Sequence, residues 1–118
     1  MNNTKTHYEV DNAAWSEVLD KTSRIFDKTP DVQTLLFLIG HRELGAFRSR
    51  FTKEQKLDLI HVGTCTLLAQ AGYFSLIDRD ADGWPHFQPT SGLPPLLPRQ
   101  QELLLKNEII NYFKKHNI

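Results

Sequence analysis

The chain has 118 residues and 13.6 kDa, the size of one ordinary domain, and its apolar residues (40%) fall in periodic clusters that can supply one core. Fourteen basic side chains balance fourteen acidic ones, which excludes a global field for a polyanion or an anionic membrane while leaving room for a local basic patch. A lone cysteine, Cys65, excludes an intrachain disulfide framework and fits a reducing compartment, and no apolar run approaches the ~20 residues needed to span a bilayer.

Residues 1–10 read as a polar arm, with Tyr8 to Val10 able to pair at its end. The arm lacks the apolar centre of a signal peptide, so a cytoplasmic protein is expected. Asp11 or Asn12 caps a first helix with Trp15, Val18, Leu19, Thr22, Ile25 and Phe26 on one stripe. Asp27 to Pro30 breaks it. Thr29 is then expected to cap a second helix, with Pro30 at its first position. That helix carries Val32 and Leu35 to Ile39, apolar all round, and is placed at the centre of the fold. It ends at Leu44-Gly45.

After a connection over 45–51, Thr52 and Gln55 form a capping box that opens a third helix to about Ala71. Its inward face is expected to hold Leu57, Ile60, His61, Thr64, Leu67, Leu68 and Ala71, and Gly72 stops it. Two strand-like runs, Tyr73–Ile77 and Trp84–Gln88, flank an Asp/Gly turn and predict a hairpin over about 73–88. Pro85 puts the second strand at an edge. Residues 89–98 form a proline-rich connector. A last helix over 99–115 points Leu103, Leu105, Ile109, Ile110, Tyr112 and Phe113 inward. The fold class is mainly α: a single domain over 11–118, four helices around the second, with one hairpin between the third and fourth. A winged-helix-like α+β arrangement is the alternative.

Four groups of residues can carry chemistry. Asp78, Asp80, Asp82 and Gly83 match the first half of a calcium loop, but Pro85 and Pro89 stand where its eighth residue and its bidentate glutamate belong. A hairpin turn accounts for the same residues without an ion. His61 and Cys65, at i and i+4, with Asp58 three residues before His61, could hold a divalent metal if His41 and Glu43 join them from the second helix. The same Cys/His pair could serve as a nucleophile and base, but it has no third orienting group.

The third group is the run Leu67–Phe74, the charged hairpin, and Phe87–Gly92, which resembles the recognition-helix-to-wing passage of winged helix-turn-helix regulators. Arg42, Arg48, Arg50, Lys53 and Lys56, offset by Glu43 and Glu54, supply a basic segment nearby. Against duplex binding stand the three aspartates of the wing, which phosphates would repel, and a third helix that exposes Gln55, Asp58 and Gln70. The fourth group, Trp84-Pro85-His86-Phe87, offers aromatic rings beside a proline-rich segment as a partner-binding surface. Alternatively, both rings cover the end of the helical core.

His41-Arg42-Glu43-Leu44-Gly45, Lys56-Leu57-Asp58-Leu59-Ile60-His61 and Asp80-Ala81-Asp82-Gly83-Trp84-Pro85-His86 resemble a family of small uncharacterised proteins of Bacteroidetes-type bacteria, from about residue 35 onward. The resemblance implies a bacterial cytoplasmic protein. It carries no activity and transfers no site residue. The function expected from the residues is a non-enzymatic protein-interaction or accessory module that works through the hairpin and its aromatic–proline flank. It needs no cofactor, and its partner is another protein or a second copy of the chain. A metal-binding helical protein and a DNA-binding regulator are the alternatives.

Overall fold

The computed structural model describes residues 9–45, 50–90, 92 and 94–118. Tyr8 of the arm and Arg48 of the basic segment lie outside them, and Glu9 and Val10 form no strand. In chain order the elements are α1 (Asn12–Phe26), α2 (Val32–Leu44), α3 (Lys53–Gln70), β1 (Phe74–Arg79), β2 (Pro85–Pro89) and α4 (Pro98–Lys115). The fold is therefore mainly α, with one antiparallel hairpin between the third and fourth helices. Two compact units are formed, one from residues 1–30 with 94–118 and the other from 31–93. Among the described residues no helix is long and apolar enough to cross a membrane.

In the first unit α1 packs with α4. Asp11 Oδ1 accepts the N–H groups of Ala13 and Ala14 at 3.0 and 3.1 Å, satisfying two of the donors that open a helix. Asp27 closes α1 in the left-handed conformation. Val18 and Thr22 are buried, and the Thr22 hydroxyl donates to the Val18 carbonyl at 2.8 Å, so its burial leaves no polar group unpaired. Ile25 departs from the expected stripe and is 61% exposed. On α4 the buried side chains are Leu104, Leu105, Glu108, Ile109, Ile110, Tyr112 and Phe113. Leu104 thus takes the place expected for Leu103, because the stripe at 104/105, 108/109 and 112/113 repeats at helical spacing and leaves Leu103 on its flank.

The second unit is built on the crossing of α2 and α3. Asp31, not Thr29, caps α2: its carboxylate takes both the N–H and the hydroxyl of Thr34, at 2.8 and 2.7 Å. A carboxylate is the stronger acceptor, so Pro30 falls before the helix rather than on its first turn. Gly45 closes α2 at φ 71°, and the Thr52/Gln55 capping box opens α3 as the sequence predicts.

The two helices meet at glycines. A Cβ on Gly40 would overlap the Leu59 carbonyl, and a Cβ on Gly63 would overlap the Leu36 carbonyl. Backbone therefore touches backbone, and Leu35, Leu36 and Ile39 close against Leu59 and Val62. This contact also sets the rotation of α3. Turning Gly63 toward α2 brings in Leu59 and Val62 and carries Leu57 and His61 out, so that Leu57 is 58% exposed. The expected inward face, which included both, is corrected accordingly.

Past Gln70 the chain reverses at Gly72, whose φ of 93° lets the Tyr73 N–H reach back to the Leu68 carbonyl at 2.8 Å. The hairpin then pairs Phe74 with Pro89, Leu76 with Phe87, Asp78 with His86 and Arg79 with Pro85. Ile77 is the extra residue of a bulge, which leaves Leu76 and Ile77 adjacent and 48% and 57% exposed.

Candidate functional site

The Asp/Gly stretch is a turn organised by one carboxylate. Gly83 N–H donates to the Asp80 carbonyl at 3.0 Å and Asp80 N–H to the Trp84 carbonyl at 3.0 Å, which gives a three-residue hairpin loop closed by Gly83 at φ 88°. Asp80 Oδ1 accepts from the N–H groups of Asp82 and Trp84, at 2.9 and 3.0 Å, while Oδ2 faces His86 Nε2 at 3.0 Å. The His86 hydrogen bond first, and then the two backbone donors, hold the Asp80 carboxyl below the ordinary carboxylate range. Both oxygens are thus committed to the turn. Asp78, Asp80 and Asp82 are all exposed, and Asp80 spends on backbone N–H groups the acceptors that a calcium loop would turn toward an ion.

Arg79 ties this tip to the end of α2. Its guanidinium donates to the carbonyls of Glu43 and Gly83 and lies 3.3 Å from Glu43 Oε1. A cation is favoured there, where the last carbonyls of a helix lack internal partners. Glu43 is therefore occupied by Arg79. His41 packs edge-on against Phe51, ring centroids 5.5 Å apart, and lies 6.2 Å from the Phe37 ring. Neither lines the cleft described next.

Asp58, His61, Val62 and Cys65 fall at i, i+3, i+4 and i+7, a single face of α3. That face and the hairpin enclose an open cleft of about 470 Å³, lined by those four residues with Phe74, Asp80, Trp84, Pro85, His86 and Phe87. Trp84 and Phe87 are both half-buried and Pro85 is buried, so the aromatic–proline segment turns its rings inward as a wall, with only His86 of the four exposed. Neither aromatic is exposed as expected: both are half-buried and line the cleft. The cause is the turn: Asp80 fixes the Trp84 amide at the loop, and the ladder brings Phe87 opposite Leu76.

Cys65 Sγ lies 3.5 Å from His61 Nε2. The cysteine is 3% exposed, and burial pushes its thiol pKa up from 9.0, which keeps it protonated at neutral pH and opposes use as a nucleophile. Of the five residues considered for a metal, Asp58, His61 and Cys65 share the cleft, whereas His41 and Glu43 have the other partners just described. Among the described residues no three His, Cys, Asp or Glu side chains are grouped to hold a metal ion. Sequence reasoning missed Val62 and Phe74 as lining residues. The i, i+3, i+4, i+7 spacing from Asp58 carries the signal for Val62; Phe74 had none until the strand register was known.

Compared with family models, with curated proteins and with solved structures, the chain matches none.

Proposed function

We propose that the chain is a protein-interaction module whose α3–hairpin cleft receives an extended segment of a partner protein. The observation that carries this reading is the cleft itself: at about 470 Å³ it lies within the range of ligand sites, and aromatic rings and a proline make up one wall. Rigid aromatic side chains offer contact area at little entropic cost, as partner-binding surfaces do. The adjacent exposed Leu76 and Ile77 extend apolar surface along β1, the strand that has no proline.

Two other readings have less support. For cysteine-based catalysis, the buried thiol has the wrong protonation state at neutral pH. For duplex DNA, the wing-like tip presents the exposed Asp78 and Asp82 to phosphates. The interaction reading takes nothing from the family resemblance, which carries no activity.

The test is selection from a random peptide library on the full chain, repeated on a Trp84→Leu variant shown by circular dichroism to be folded. Enriched peptides should bind the parent and lose most of their binding to the variant. Selection without enrichment, or peptides indifferent to Trp84→Leu, would overturn the reading.

A further inference from the structure

We infer that the cleft is selective for a basic side chain, a lysine or an arginine borne on the partner's segment. The inference rests on the interaction reading above and names its chemistry. Phe74, Trp84 and Phe87 line one cavity, and aromatic rings attract cations to their faces. Asp58 and Asp80 line the same cavity, and no lysine or arginine does; the Asp80 oxygens are taken by the turn and His86, so Asp58 is the carboxylate left to meet a ligand. Asp58 is exposed and enters no ion pair among the described residues. Arg79, the cation of the hairpin, points away to Glu43 and the Gly83 carbonyl, and so does not neutralise the site.

Charge complementarity therefore favours a cation over an anion or a neutral aliphatic side chain. The remaining titratable groups that face the cavity are His61 and Cys65 from α3 and His86 from the hairpin.

The experiment is a two-dimensional amide NMR titration of the labelled full chain with three peptides: acetyl-Gly-Lys-Gly-amide, its arginine counterpart and its norleucine counterpart. Tetramethylammonium chloride serves as a free small cation. The Trp84 indole N–H reports on the cleft, and that of Trp15 is the internal reference. The lysine or arginine peptide should move Trp84 saturably and bind roughly threefold or more tighter than the norleucine peptide, as a cation–π contact and an exposed ion pair allow. Asp58→Asn should weaken it about two- to fivefold with the urea midpoint unchanged.

Equal binding of the norleucine peptide, or indifference to Asp58→Asn, would overturn the inference. Tetramethylammonium binding without peptide binding would overturn the peptide as the source of the cation. If the basic peptides fail while library peptides still need Trp84, the cation inference falls and the interaction reading stands. If both fail, both fall.

Discussion

Replacing Gly63 by alanine sets two effects of opposite sign against each other. In the interior of an ordinary exposed helix the change stabilises by about 1 kcal/mol, because alanine loses less backbone freedom on folding. At Gly63 the new methyl would overlap the Leu36 carbonyl, a backbone atom that no rotamer change can move. Relief requires α2 and α3 to part by about 1 Å, and a gap of that size forfeits between a quarter and a half of each dispersion contact it opens. The contacts at risk are those of Leu35, Leu36, Ile39, Leu59 and Val62, all buried at this crossing. Overpacking of this kind costs about 1–3 kcal/mol, occasionally more, so with the propensity gain of about 1 kcal/mol deducted the variant should lose about 1 kcal/mol. Urea unfolding followed by circular dichroism should show the midpoint falling by about 0.5 M. Gly40→Ala should behave alike, and the double variant should lose less than the sum, since the first methyl already parts the helices. An unchanged or higher midpoint for Gly63→Ala would refute the close crossing.

Other outcomes test the remaining structure. Leu57→Ser should change stability by no more than about 0.5 kcal/mol while Leu59→Ala costs about 2–5 kcal/mol, and equal effects in urea would restore the face read from the sequence. Thr52→Ala should cost about 1 kcal/mol by the same measurement, since it removes the acceptor for the Gln55 N–H. Asp80 has a lowered folded-state pKa, so its contribution is present above about pH 4, the unfolded value, and is lost as pH falls through the lower folded one. The Trp84 amide shift should follow that acid transition, and Asp80→Asn should abolish it; a pH-independent shift in the parent would argue against the turn. Cys65 should react with a disulfide reagent slowly near neutrality and accelerate only above about pH 9, whereas fast reaction at about pH 7 would show an activated thiolate.

Much of the fold was legible because its signals are local. Asp11, Gly45, the Thr52/Gln55 box and Gly72 act within one turn of chain, and each marks the boundary its chemistry predicts. Facing was less legible, because it is decided by a partner. Leu57 and Leu59 are equally apolar, and only the glycine contact with α2 selects Leu59. The cleft was visible in pieces: the Asp58, His61 and Cys65 spacing on a helix, and the Asp80 to Phe87 stretch on a hairpin. That these form opposite walls depends on how the chain turns at Gly72 and on a bulge at Ile77, and neither leaves a periodic trace. His41 and Glu43 were misleading for a related reason. Sequence places them near the end of α2, but the guanidinium that claims Glu43 comes from Arg79, 36 residues on.

The division of the chain into a continuous unit and a discontinuous one bears on the order of folding. The main pairings in residues 31–93 join elements that are neighbours in sequence, α2 with α3, α3 with β1 and β1 with β2. Such contacts close short loops and form fast. The contact of α1 with α4 spans that whole segment, so the first helix waits during synthesis for a partner translated roughly seventy residues later. If the continuous unit is already folded by then, it acts as a rigid staple that shortens the loop to be closed and reduces the entropy lost on closing it. Destabilising the α2–α3 crossing should then slow the joining of α1 to α4, a kinetic coupling that requires no contact between the two units.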